Sequence, residues 1–165
     1  MEAVTENLET SADGAGDRPY EFTAFYRAEQ PGQVRRAALL LGSDELANDV
    51  VHEVLAAMYR SWSSIEQPGP YLNRAVLNRC REAGRDRTRE ARLRERLRPL
   101  ASDLPADDVL LDIVAGLPFN QRAVVVLRFY AQMTEPEIAA ALDVPTGSVG
   151  PWTHRALAKL RKELS

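Results

Sequence analysis

The sequence predicts an all-α protein built as two small helical domains joined by a flexible linker. Three observations carry that prediction. Apolar residues recur at three- and four-residue spacing through most of the chain, and the two-residue alternation of a half-buried strand is absent. The stretch "RPLASDLPADD" (98–108) interrupts the pattern with two prolines, small residues and acids, the composition of an interdomain connection. Charge also changes sign in blocks: residues 67–98 hold ten arginines against four acids, whereas 19–66 and 99–118 are net acidic. The expected organisation is an acidic disordered tail at 1–18, a helical domain at 19–97, a linker at 98–107 and a second helical domain at 108–165.

Each element has its own signal. The tail carries Gly, Ser, Asp and Glu with almost no large apolar side chain, so it cannot bury enough surface to order itself. Phe22, Phe25 and Tyr26 share one face of a first helix over about 20–30, which Pro31-Gly32 should end. A second helix covers about 33–42 and stops at Gly42. A third opens with Ser43 as N-cap and Asp44 and Glu45 in its first turn, where negative charge meets the positive end of the helix dipole. Its apolar residues Ala47, Val50, Val51, Val54, Leu55, Met58 and Trp62 form one stripe for the core. The opposite face shows Asp49, His52 and Glu53. "SSIEQPGP" reads as a loop, and a fourth helix starts near Pro70, a residue tolerated at a first helical position. Beyond the linker, short helices at about 108–116 and 119–131 precede "TEPEIAAALDV". There Thr134 and Glu137 have capping-box spacing, and Pro136 falls in the first turn. The last helix runs to about 164.

Composition excludes several functions. Nothing in the chain points to catalysis: there is no glycine-rich phosphate loop, no His/Cys pair at metal-ligand spacing, and so no expected catalytic residue, metal or cofactor. No apolar run is long enough to span a bilayer, and "MEAVTENLETSADGAGDR" is acidic where a signal peptide would be basic and apolar. The single cysteine, Cys80, cannot form an internal disulfide, which fits a reducing cytoplasm, and the lack of a spanning run leaves no membrane partner expected. A net charge of −3 speaks against nucleic-acid binding by the chain as a whole, but the basic block at 67–98 speaks for it locally. Nineteen of the 21 basic residues are Arg, a usage typical of GC-rich coding, so the clustering of arginine is the signal and its abundance is not.

Two segments carry the chemistry. In "PYLNRAVLNRCREAGR", Arg74, Arg81 and Arg85 fall close to one helical face with Asn78 between them, and Tyr71 and Trp62 flank the preceding loop. Arginines that neutralise phosphate beside aromatics that stack on unpaired bases suit melted, single-stranded DNA. The plainer alternative is a solvated helix laced with Glu–Arg pairs, and it suits the more balanced 86–98 better. The second segment, "TEPEIAAALDVPTGSVGPWTHRALAKL", has helix-turn-helix spacing. Ile138, Ala141 and Leu142 would pack on Val149, Ala156 and Leu160 across a tight turn at Asp143 to Pro145. An ordinary helical hairpin is the alternative here.

Together these segments resemble the sigma-70 family of transcription initiation factors, specifically the extracytoplasmic-function (ECF) group, which keeps only regions 2 and 4. "ANDVVHEVLAAMYRSW" is similar to the region 2 pattern Ala-x-Asp-Leu-Val-Gln-Glu followed by an apolar stripe and Trp. "PYLNRAVLNRCREAGR" is similar to Trp/Tyr-Leu-x-Arg-x-x-x-Asn with trailing arginines. "LPFNQRAVVVLRFYAQMTEPEIAAALDVPTGSV" is similar to the region 4 pattern Leu-Pro-x-x-x-Arg, Glu-Ile-Ala, Pro-x-Gly-Thr/Ser-Val. The likeness covers roughly 20–85 and 108–164, and its Lys-poor style resembles actinobacterial members. The resemblance implies core RNA polymerase (the beta-prime clamp and the beta flap) and promoter DNA as partners, with an anti-sigma protein as a further candidate. It places Asp49, His52 and Glu53 on the clamp-facing helix, with His52 where Gln is usual. That histidine is either a contact or a plain exposed helix residue. Tyr71, Leu72, Arg74 and Asn78, with Trp62, Arg81 and Arg85, fall in the segment that opens and reads the minus-ten element; Glu82 stands where Asp is frequent. Arg122 and Arg128 match region 4 arginines, and Arg122 either contacts phosphate or packs locally.

One departure concerns the recognition helix. Where the family continues into a basic residue, Ser and Arg, this chain has Gly150-Pro151-Trp152. With Thr146 as cap, Pro151 would lie a turn inside and cost about 3 kcal/mol. With Ser148 as cap it falls at the third helical position, whose N–H has no intrahelical partner. The expected helix therefore starts near 149, with Trp152 at the edge of the apolar stripe. Ser148, Thr153, His154, Arg155 and Lys159, with Arg122, are left to meet the minus-thirty-five element, mostly through phosphates. Two other readings stay open: a degenerate sigma-like regulator acting by protein–protein contact, and a DNA-binding repressor working without polymerase.

Overall fold

The computed structural model describes residues 18–95 and 106–165, with side chains for 18–86 and 110–165. Tail positions 1–17 and linker positions 98–105 lie outside the described residues. All regular structure among the described residues is helical. In the N-terminal group, α1 (Arg18–Leu41), α2 (Asp44–Arg60) and α3 (Pro68–Glu95) pack together. The C-terminal group comprises α4 (Ala106–Ala115), α5 (Phe119–Val125), α6 (Glu135–Leu142) and α7 (Val149–Leu164).

The first group departs furthest from its sequence signals in α1. That helix runs unbroken through Pro31, where two helices are expected from the sequence. Proline in a helix interior loses one backbone bond. Here both halves of the helix press on the same neighbours: Phe22, Phe25 and Tyr26 in the first half, and Ala37, Leu40 and Leu41 in the second, join the apolar cluster with α2 and α3. Burial of that face offsets the lost bond. The helix ends where Gly42 takes a left-handed φ of 66° and donates its N–H to the Ala38 carbonyl.

Ser43 caps α2 as expected, its Oγ accepting from the Leu46 N–H at 3.2 Å. The stripe from Ala47 to Met58 is buried, but Trp62 lies beyond the helix end, in a 3₁₀ turn at Trp62–Ser64. Its indole packs on Phe22 and Phe25 of α1, edge-on to Phe22. The next helix begins at Pro68, two residues before the expected start, because Pro68 and Pro70 both fit a first turn whose N–H groups are unpaired anyway. Leu72, Val76, Leu77, Cys80 and Ala83 are its buried apolar residues, and burial pushes the Cys80 thiol up to about 12.

In the second group, α5 passes into a π-helical turn at Val126–Tyr130, closed by Ala131 N–H to Val126 O and Met133 N–H to Leu127 O. The capping box at the start of α6 is complete. Thr134 Oγ1 accepts from the Glu137 N–H, and the Glu137 carboxylate accepts from the Thr134 N–H at 2.7 Å. The Thr134 N–H, and after it the Thr134 hydroxyl, hold the Glu137 carboxyl below its ordinary range. Asp143, at φ 56°, ends α6 in the left-handed conformation and makes the turn toward Pro145.

The last helix, α7, starts at Val149 and carries Pro151 in its first turn. Ser148 precedes it, but as the last residue of a 3₁₀ turn (Thr146–Ser148); its side chain makes no capping bond. Ile138, Ala141, Leu142, Val149 and Ala156 are buried at the hairpin, as its spacing predicts, whereas Leu160 is half-buried. No helix among the described residues is long and apolar enough to cross a membrane.

Candidate nucleic-acid interface

Three surfaces collect the residues singled out by the sequence. On α2, Asp49, His52 and Glu53 are exposed on the face opposite the buried stripe. His52 stacks on Tyr26, the rings 7° from parallel, and shares a 2.9 Å hydrogen bond with its hydroxyl. Glu53 accepts from Arg79 Nε at 3.0 Å, and Arg79 also approaches Glu82, so this arginine ties α3 to α2. Asp49 makes no ion pair among the described residues.

The second surface is a groove of about 780 Å³ where the loop after α2 meets the first turns of α3. Tyr71, Arg74 and Asn78 line it together with Ser61, Ser64 and Gln67. Tyr71 is half exposed, so an aromatic face, a guanidinium and an amide converge on one opening. Trp62 and Leu72 are not part of its lining. Trp62 is engaged with α1, and Leu72 is fully buried in the core, where it sets the position of its neighbours Tyr71 and Arg74.

Most of these arginines meet the C-terminal group. Arg74 donates Nε and Nη2 to the Ala140 carbonyl of α6 at 3.3 and 3.2 Å. Arg81 donates to Asn120 Oδ1 at 3.3 Å, and its guanidinium lies 5.2 Å from the Phe119 ring centroid. Arg85 is exposed and unpaired among the described residues.

On the third surface, α7 exposes Pro151, His154, Arg155 and Ala158 as one stripe. Thr153 is turned inward; it is buried and donates its hydroxyl to the Val149 carbonyl at 2.8 Å. Lys159 reaches the Gly116 carbonyl at 3.2 Å, just past the end of α4. Arg122 is half-buried and fully engaged, donating to the carbonyls of Val114, Ala115, Leu117 and Leu40. Desolvation lowers its pKa, and no carboxylate among the described residues pairs with it. Of the two roles open to Arg122, its bonding pattern is that of local packing.

Against known proteins, residues 107–160 match the family profile "Sigma-70, region 4". Over 156 residues the chain is 38% identical to the RNA polymerase sigma-E factor of Streptomyces coelicolor, covering 87% of this chain and 86% of that protein. The chain belongs to the ECF sigma factors of the sigma-70 family. A further relative is the ECF sigma factor SigD of Mycobacterium tuberculosis, 31% identical over 154 residues and covering 84% of this chain and 70% of SigD. In fold the chain is similar to the sigma factor RpoE of Bartonella quintana, solved in complex with the anti-sigma factor NepR. The TM-score is 0.70 at 19% identity, covering 87% of this chain and 96% of that one. It is also similar to CnrH in complex with the cytosolic domain of CnrY, with a TM-score of 0.67 at 22% identity and 88% of each chain covered.

In this ECF sigma factor, several site-lining residues carry no recognisable sequence signal. Ser61, Ser64 and Gln67 belong to a loop whose polar composition is typical of any turn. Phe119 and Asn120 meet Arg81 from 38 and 39 residues away, a separation at which periodicity is silent.

Proposed function

We propose that this sigma factor uses its two halves as follows. Residues 19–97 act as region 2, 98–107 as the linker and 108–165 as region 4, working on the polymerase in the cytoplasm. The Asp49, His52 and Glu53 face of α2 docks on the clamp of core RNA polymerase. The groove at the start of α3 takes an unpaired base of the minus-ten element: Tyr71 stacks on it, Asn78 reads its edge, and Arg74, Arg81 and Arg85 neutralise the adjoining phosphates. Region 4 approaches the minus-thirty-five element through His154 and Arg155 on the outward stripe of α7 and Ser148 in the turn before it, mainly at phosphates. Thr153 and Arg122 are left out of this interface because both are committed inside the fold. An anti-sigma protein is a candidate regulator, as for the sigma factor RpoE of Bartonella quintana, solved in complex with the anti-sigma factor NepR.

The observation that carries this reading is the convergence of Tyr71, Arg74 and Asn78 on one groove beside an arginine row. The direct test is open-complex formation with core polymerase on a mapped promoter. The double variant R74A/R81A is expected to melt promoter DNA at least about ten-fold less well, with the log–log salt slope flatter by roughly two. Wild-type melting would overturn the assignment.

A second reading concerns specificity. The first turn of α7 holds Gly150, Pro151 and Trp152, none of which can make a bidentate contact to a base edge. Region 4 then positions the polymerase and leaves most sequence discrimination to region 2. Start-site mapping over a genomic promoter library tests this: a shared minus-ten motif without an upstream consensus supports it, and two spaced motifs reject it.

A further inference from the structure

Between α3, the α4–α5 turn and α7 lies a second cleft, of about 930 Å³, which shares only Arg81 and Arg85 with the promoter-binding scheme. Its composition is unusual for a chain of net charge −3. Arg81 and Arg85 enter it from one wall, Asn120 and Gln121 from another, and Phe119 and Trp152 supply aromatic surface. Among the described residues no carboxylate lines it, and Arg122, also in its lining, donates only to carbonyl oxygens. Arg85 is exposed and has no partner among the described residues. The cleft is thus a positively charged pocket with flat apolar walls and amide groups, within the size range of small-molecule sites.

From this geometry we infer that the interdomain cleft binds a nucleotide carrying several phosphates, the phosphates on Arg81 and Arg85 and the base against Trp152. Each part of the ligand answers one feature. Paired guanidiniums on successive turns of α3 match a polyphosphate chain. A half-buried indole offers a stacking face, and the Asn120/Gln121 amides offer donors and acceptors to a base edge. The departure Gly150-Pro151-Trp152 then gains a role: it replaces a basic residue with an indole at the wall of this pocket. A ligand held there touches α3 and α7 together and engages the same Arg81 that binds Asn120. It therefore excludes promoter phosphate from that arginine and holds the two halves in contact.

The test uses the full chain and calorimetric titration with GTP, ATP, guanosine and tripolyphosphate. A nucleoside triphosphate is expected to bind at least about ten-fold more tightly than guanosine or tripolyphosphate alone, and to quench tryptophan fluorescence. R85A, a change at an exposed residue that leaves folding intact, should weaken binding about ten-fold; W152L should abolish the preference for nucleotide over tripolyphosphate. No binding at millimolar concentration overturns the inference. So does equal binding of tripolyphosphate and nucleotide, or R85A titrating like wild type. A single-stranded DNA decamer that binds more tightly than GTP and is lost in R85A would assign the pocket to nucleic acid instead. None of these outcomes depends on polymerase, so the result stands apart from the promoter assignment.

Discussion

Arg122 and Arg81 are the same side chain on facing helices, put to opposite uses. Arg122 donates to four carbonyls, those of Val114, Ala115 and Leu117 around the end of α4 and that of Leu40 near the end of α1. Arg81 makes one long hydrogen bond and one ring contact across the interface between the halves. The first arrangement is a clasp whose loss takes a charged donor from several part-buried carbonyls at once; the second is a contact that water replaces without penalty. Arginine content alone cannot tell them apart. The number and type of acceptors does.

Breaking both arginines makes the comparison quantitative. Arg122→Ala should destabilise the protein by about 2–4 kcal/mol in urea denaturation, since several carbonyls lose a charged donor together. Arg81→Ala should stay within about 1 kcal/mol of wild type in the same assay while impairing promoter melting. Equal losses of stability in the two variants would erase the distinction.

A smaller effect separates the two helix starts of the helix-turn-helix. The capping box at α6 is fully formed, whereas Ser148 makes no side-chain bond at α7. Thr134→Ala is therefore expected to cost about 1 kcal/mol, and Ser148→Ala less than about 0.5. If Ser148→Ala costs as much as Thr134→Ala, the hydroxyl is capping after all.

Smallest, and dependent on pH, is the contribution of Glu137. Its carboxyl is held low by donors from Thr134, first the backbone N–H and then the hydroxyl. A depressed carboxyl contributes stability that is present above the ordinary glutamate pKa and is lost as pH falls through the lower, folded value. Thermal melts over the acidic range should show wild type losing more than Glu137→Gln; parallel curves would remove the carboxylate from the account.

These contrasts mark where the sequence was legible. Ser43, Thr134 and Glu137 announce their helix starts because capping chemistry is local, and the Ala47–Met58 stripe announces its burial because periodicity is local. The fate of Pro31 was hidden, since a helix continues through proline only when both halves pack on common neighbours. Arg74 on the carbonyl of Ala140 was hidden too: 66 residues separate them, and nothing in either segment names the other. Thr153 and Arg155 read alike as polar residues on one helix, yet the first is buried and the second exposed, because helical phase set by Val149 and Ala156 turns Thr153 inward.

One quiet residue offers a clock. Cys80 is fully buried in the α1–α3 core, and its thiol is raised to about 12, so at neutral pH almost no thiolate exists and none is reachable. A thiol reagent can then modify the protein only during excursions that part α3 from its neighbours. With a single cysteine in the chain, the labelling rate counts those openings directly, with no engineered probe. Any partner that clamps the N-terminal half will slow that clock, and any that pries it apart will speed it.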